Sequence, residues 1–315
     1  VPHIDDPLPR ALAWHDAGHA VALATVIETW GSAPRPVGSH LAICDDGRLE
    51  GSVSGGCVEG DVLVNAEEIL ADGGFRRLDY GVADETAWTV GLPCGGTIRV
   101  LVQRVADDGY PPALLRHVVA ALGRRESVRV VTDLATGRSR AETSDAVETA
   151  FVRPYAPQPR LVIVGAGHIG QALAPMASLA GFDVTVVDPR ERFATADRFA
   201  GVRLDHRFPD EALAAHPLDQ ASALVALSHD PKIDDPALIA ALGSPAFHIA
   251  ALGSRRNQAR RLERLADAGF NAAALARIHG PAGLPIGALT PAEIAISILA
   301  ELVAARRGAA IRRAG

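Results

Sequence analysis

Leu161-Val-Ile-Val-Gly-Ala-Gly-His-Ile-Gly170 is the stretch from which the fold can be read. Its first four residues are apolar, bounded and short, as in a strand buried on both faces. The G-x-G-x-x-G spacing that follows is that of a phosphate-binding turn opening a helix. Gly165 permits the tight turn. Gly167 removes a side chain where a phosphate would approach, and Gly170 lets the helix pack closely on the strand. The start of that helix offers unpaired N–H groups to an anion. A second strand pattern, Asp183–Val187, ends at Asp188, where a carboxylate can bind ribose hydroxyls. Arg190 leaves an NADP-type preference open, although Asp188 itself disfavours a 2′-phosphate. His168 reads either as a surface histidine at a helix start or as a donor to a bound phosphate.

Downstream, strand patterns at Ala223–Leu227, Phe247–Ala251 and Leu275–Ile278 alternate with helix patterns near 209–215, 235–242, 255–268 and 291–307. Such alternation implies an α/β fold with a Rossmann-like parallel sheet covered on both faces. Gly253-Ser254-Arg255-Arg256 follows a strand and opens a helix, making a second candidate anion site. Arg260, Arg261 and Arg264 on that helix read as a solvated face. His279 follows another strand end, and loops at the carboxyl ends of such strands converge on a ligand crevice. His168, Ser254, Arg255 and His279 are therefore expected around one cleft, with the first domain closing over it. The glycine turn alone leaves open whether the guest is NAD(P) or another phosphorylated molecule.

Upstream, Arg153-Pro-Tyr-Ala-Pro-Gln-Pro-Arg160 carries three prolines, which exclude helix and favour extended backbone. It reads as a linker, 153–160, between an N-terminal mixed α/β domain, 1–152, and the Rossmann-like domain, 161–315. In the first domain helices are expected over 7–18, 58–71 and 112–122, and strands over 20–28, 39–44, 97–102 and 128–132.

Apolar residues make up 48% and charged residues 22% of the 315 positions, enough for a packed core and against general disorder. A net charge of −6 gives no basic excess, which argues against a nucleic-acid partner. Lys232 is the sole lysine, so cationic recognition rests on arginine. No run approaches 18 apolar residues, so no membrane span is expected. A signal-peptide pattern is not seen, and the cytoplasm is the expected location. The cysteines, Cys44, Cys57 and Cys94, do not suggest a disulfide framework, and with no C-x-x-C or H-E-x-x-H pattern a structural zinc site is not expected.

Three glycine-rich segments mark the first half. In Thr29-Trp-Gly-Ser-Ala-Pro-Arg-Pro-Val-Gly38, Arg35 sits between two prolines, either as a preorganised anion ligand or as a solvated arginine on a rigid turn. In Gly51-Ser-Val-Ser-Gly-Gly-Cys-Val-Glu-Gly60, Ser54 is a candidate helix cap, and Gly55 and Gly56 offer backbone N–H groups to an anion. The helix start would activate Cys57 as a nucleophile, the alternative being a buried structural cysteine. Glu59 suits capping or proton transfer. In Gly91-Leu-Pro-Cys-Gly-Gly-Thr97, Cys94 reads as a functional thiol, because Gly95 and Gly96 fill little core volume. Cys44, within a strand pattern, reads as core.

In this order, Gly31–Gly38, Ser54–Glu59, Leu92–Gly96, Gly165–Gly170, Ala251–Arg256, His279–Leu284 and Leu289–Ile298 resemble the xanthine dehydrogenase accessory proteins of the XdhC/CoxI type. The resemblance covers almost the whole chain. It implies an accessory chaperone without turnover of its own, not the hydroxylase. Such a protein binds molybdenum cofactor, as molybdopterin or its dinucleotide form. It shields the cofactor while a cysteine desulfurase supplies the sulfido ligand, then delivers it to a xanthine dehydrogenase-type apo-enzyme. Molybdenum needs a soft or oxygen neighbour during transfer, which Cys94 or Cys57 could supply. A homodimer is the expected assembly. The rival reading is an NAD(P)-dependent oxidoreductase resting on Gly165, Gly167, Gly170 and Asp188, but no hydride-transfer constellation accompanies them.

Overall fold

A computed structural model describes residues 6–81, 96–142 and 150–309. The chain divides into two compact units after Pro157. Of the proline-rich stretch 153–160, the first three residues complete one strand of the first unit, residues 156–159 belong to no regular element, and Arg160 begins a strand of the second.

The first unit runs α1 (Leu8–Asp16), β1 (Val21–Trp30), β2 (His40–Cys44), β3 (Leu49–Gly51), α2 (Glu59–Asp72), β4 (Phe75–Tyr80), β5 (Thr97–Arg104), α3 (Pro112–Gly123), β6 (Val128–Asp133), β7 (Arg138–Ala141) and β8 (Ala150–Tyr155). Five strands form an antiparallel sheet in the order β3-β2-β1-β5-β4, and β7-β6-β8 form a second. Because side chains alternate along a strand, β1 feeds two cores. Ala22, Ala24 and Val26 pack with Val62, Ala66 and Ile69 of α2. Val21 and Leu23 pack with Leu8 and Trp14 of α1 and Leu115 and Val118 of α3. The expected helices and strands of this half are present to within a few residues, while the short or charged strands β3, β4, β7 and β8 carry no clear apolar alternation.

The second unit runs β9 (Arg160–Val164), α4 (His168–Leu179), β10 (Asp183–Val187), β11 (Arg203–Asp205), α5 (Pro209–Ala215), β12 (Ser222–Ala226), α6 (Pro231–Leu242), β13 (His248–Ala251), α7 (Arg255–Asp267), α8 (Ala272–Leu275), β14 (Ile278–His279) and α9 (Pro291–Arg307). Its six strands are parallel in the order β11-β10-β9-β12-β13-β14. Counting from β9, this is 3-2-1-4-5-6, the order of doubly wound dinucleotide-binding sheets, with the switch point between β9 and β12. Leu161 and Ile163 face a core with Leu173 of α4 and Ile298 and Leu302 of α9. Val162 and Val164 face the opposite core with Leu238 of α6 and Leu265 of α7. Two buried faces explain why β9 reads as an unbroken apolar run. The expected strand at 275–278 is corrected: residues 272–275 form a helical turn capped by Asn271, and only Ile278–His279 pair with β13. No helix among the described residues is long and apolar enough to cross a membrane.

Candidate functional site

The Gly165–Gly170 turn lies at the switch point, and its three glycines differ in what holds them there. A Cβ on Gly165 would fall 2.6 Å from the Ser228 amide nitrogen, and its φ is +107°. On Gly170 it would fall 2.7 Å from the Gly165 carbonyl oxygen. Both are therefore fixed by packing. Gly167, which caps α4, faces open space. It leaves the space beside the α4 N-terminus open while contributing nothing to packing. His168 is exposed at the first residue of α4.

Asp188 departs from the ribose-binding expectation. Its carboxylate is fully buried. Oδ2 accepts from the Ala166 amide at 2.7 Å and from an Arg190 terminal nitrogen at 2.8 Å. Oδ1 accepts from the Arg190 amide and Nε, both at 2.9 Å. Those four bonds use the accepting sites of a carboxylate. Burial alone would raise its pKa, but Arg190 and the Ala166 amide outweigh that and hold it below the ordinary range. The acid fastens the glycine turn to the end of β10, and a ribose diol would have to displace these partners.

The loops after β12 and β13 shape a cavity of about 190 Å³ lined by His229, Asp234, Asn257, Arg260, Arg261 and Arg264, among others. Ser254 caps α7 by accepting from the Asn257 amide, and both Ser254 and Arg255 are exposed. Arg264 is paired with Asp235. Arg261 corrects the solvated-face reading, since only 5% of its surface is exposed. It donates to the Leu252 carbonyl at 2.8 Å and to Gln258 Oε1 at 2.6 Å. Its nearest carboxylate, Asp234, is 3.9 Å away, and its Nε has no hydrogen-bond partner. Burial lowers the pKa of Arg261, which remains a cation, and raises that of Asp234. Their mutual attraction does not offset desolvation, and an added anion would improve the balance at the guanidinium. The α7 pattern held a signal for this: Gln258, Arg261 and Leu265 recur at three and four residues on the buried stripe.

His279 is not free at a strand end. Its Nδ1 lies 3.2 Å from Glu301 Oε1 on α9, and its ring stands 4.4 Å from that of His248. The Gly283 amide donates to Glu301 Oε2 at 2.7 Å. Burial opposes ionisation of Glu301, but the two imidazoles and this amide outweigh it, so its pKa falls well below the carboxylate range. Neither His248 nor Glu301 stood out in the sequence. The available signal for Glu301 was a charge amid the apolar run Ile294–Val303.

In the first unit, the amides offered by Ser54–Gly56 are already held within the chain. Glu59 Oε1 accepts from the Val53 and Ser54 amides and the Ser52 hydroxyl. Its Oε2 accepts from the Gly56 and Val58 amides and the Ser54 hydroxyl, while the Gly55 amide donates to Ser52 Oγ. The cap of α2 is Val58, whose amide also donates to Ser54 Oγ. The anion in this cradle is therefore Glu59 itself. Burial raises its pKa, but the Ser54 and Ser52 hydroxyls and the amides dominate and hold it at about 2. Arg35 Nε donates to the Ser52 carbonyl at 3.4 Å, joining the first two glycine-rich segments. Cys57 is exposed at the same loop, which removes its buried-core alternative, and Cys44 is buried in β2. Gly96 packs against the backbone of Trp30 and Ser32, where a Cβ would meet the Ser32 carbonyl oxygen at 2.7 Å. Cys94 and Gly95 lie outside the described residues.

Two family models match the chain. The XdhC Rossmann domain matches residues 161–302, and the XdhC and CoxI family matches residues 14–81. The molybdenum cofactor insertion chaperone PaoD of Escherichia coli is 28% identical over 92% of this chain and 85% of its own. A probable xanthine dehydrogenase subunit from Bacillus subtilis is 27% identical over 92% of this chain and 94% of its own. A crystal structure described as a xanthine dehydrogenase from Bacillus halodurans superposes with a TM-score of 0.76 at 26% identity, covering 96% of each chain.

Proposed function

This chain belongs to the XdhC and CoxI family, and from that premise we propose that it is an accessory chaperone of a molybdenum hydroxylase. It binds molybdenum cofactor, shields it during sulfuration by a cysteine desulfurase, and delivers it to a xanthine dehydrogenase-type apo-enzyme. The observation that carries the reading is the buried, incompletely partnered Arg261 in an arginine-rich cavity at the carboxyl edge of the sheet. A molybdopterin guest brings a phosphate or pyrophosphate, and a guanidinium fork recognises such groups directionally. The open space at Gly167 supports a second phosphate contact at the α4 N-terminus. His168, Ser254 and Arg255 stand exposed at the starts of α4 and α7 and are assigned to the same guest.

The name of the Escherichia coli relative supports the chaperone, whereas the two Bacillus relatives carry the name of the dehydrogenase itself. With three cysteines, the chain cannot ligate even one four-cysteine iron–sulfur cluster. The state of Asp188 also favours a guest gripped by its phosphate over a nicotinamide dinucleotide gripped by its ribose diol. In the proposed transfer, one thiol, Cys94 or Cys57, supplies a soft neighbour for molybdenum.

Titration of the purified protein with molybdenum cofactor tests the reading. One equivalent is expected to bind, with NAD and NADP unable to displace it. Arg261→Gln is expected to weaken binding by about 10- to 100-fold, the equivalent of one charge-assisted hydrogen bond. Gly167→Asp, which places a carboxylate in open space without a packing clash, should weaken it while leaving the fold intact. Unchanged affinity in both variants would place the guest elsewhere. If Cys57→Ala and Cys94→Ala together leave metal retention unaltered, the thiols have no part in transfer.

A further inference from the structure

Outside the arginine-lined cavity, three side chains far apart in sequence meet inside the second unit. His248 opens β13, His279 ends β14, and Glu301 projects from α9. Each offers one ligand atom, and these atoms all lie within 4.8 Å of one another. Glu301 Oε1 is 3.2 Å from His279 Nδ1, and Oε2 is 3.7 Å from His248 Nε2. Separations of this size suit ligands around one small cation better than His248 and Glu301 bonded directly to each other, since 3.7 Å exceeds a hydrogen bond.

A second observation points the same way. His248 is buried, and its Nε2 has no hydrogen-bond partner although it faces the carboxylate. Buried polar nitrogens are almost always satisfied, so one left aimed at an anion asks for a shared partner. Two imidazoles and a carboxylate are the donor set of open zinc sites, in which a fourth position remains for water or a guest. His279, 39% exposed at its side chain, leaves the cluster a solvent-facing side. The Gly283 amide orients the Glu301 carboxylate in the way that outer hydrogen bonds orient metal ligands. We propose that His248, His279 and Glu301 form a binding site for a divalent transition-metal ion of the zinc class. The site escapes a motif search because its ligands come from two strands and a helix, with no short spacing between them.

The test uses the full chain, stripped with a chelator and titrated with Co(II) as the visible probe. One Co(II) per chain is expected, with d–d absorption of low coordination number that Zn(II) abolishes by displacement. Loss of an outer hydrogen bond weakens metal sites by about 10- to 100-fold, so His279→Gln and Glu301→Gln should each weaken binding by at least about 100-fold. His279→Gln lies at the partly exposed member and serves as the fold-sparing variant, checked by an unchanged urea midpoint without metal. Raised thermal stability with Zn(II) in the parent, absent in both variants, would agree. The proposal falls if the stripped protein takes up no Co(II) or Zn(II). It also falls if uptake persists undiminished in the folded variants, which would place the ion at another cluster such as His19, Asp45 and Asp46.

Discussion

Gly165→Ala should cost the second unit about 3–5 kcal/mol, combining backbone strain with overpacking. The added methyl would sit at φ +107° and within 2.9 Å of three backbone atoms of Leu227 and Ser228. None of these can swing aside like a side-chain tip. The strands must part at the switch point, so the ends of β9 and β12 would separate and the crevice would lose its floor. Urea unfolding followed by far-UV dichroism measures the loss. Gly167→Ala is the matched control. Its φ is −73° and nothing lies within 4 Å of the added carbon, so its stability should change by no more than about 0.5 kcal/mol. Equal losses in the two variants would mean that strain at Gly165 is not what the motif's first position demands.

Glu59→Ala is the second large effect, an expected loss of about 2–4 kcal/mol from the first unit. Four amides and two hydroxyls converge on this one carboxylate. Charge-assisted bonds contribute about 1.5–3 kcal/mol each, but the loop is half exposed and water recovers part of the sum. Glu59→Gln should lose less, since one amide oxygen still accepts. The pH dependence follows from the direction of the shift. The folded pKa of about 2 lies below the ordinary 4.5, so the stabilisation is complete above pH 4.5 and is lost as pH falls through about 2. Acid titration of the parent should therefore show a stability decline between those values that is reduced in Glu59→Gln. Parallel declines in the two proteins would assign the acid transition to other carboxylates.

Local chemistry made the second unit's scaffold legible. A strand buried on both faces must be largely apolar, and Leu161–Val164, Ala223–Ala226 and Ile249–Ala251 read that way. Gly165 and Gly170 occupy positions where backbone contact leaves no room for a side chain, so the turn was visible as a spacing. What the sequence could not display is how polar side chains are committed once packed. Asp188 stands where a ribose ligand belongs but spends its oxygens on Ala166 and Arg190. Arg261 looks solvated beside Arg260 and Arg264, and only the helix phase set by Gln258 and Leu265 turns it inward. The Ser54–Gly56 amides look available until Glu59, three residues beyond Gly56, folds back over them. These pairings depend on a few ångströms of tertiary placement, whereas the strands and helices depend on periodicity alone. The His248–His279–Glu301 cluster is the extreme case, because no pair among its members shares an element.

The rims of the sheets bear on how this chain meets other proteins. In the parallel sheet the outermost strands are three residues at β11 and two at β14. In the larger antiparallel sheet β3 is three residues long, and β4 carries Arg76, Arg77 and Asp79. At these four edges, among the described residues, a second polypeptide seeking to add itself as another strand finds rungs too few or too highly charged. Pairing of a client or a second copy with those edges is thereby disfavoured. Borders of this kind resist amyloid-like zippering.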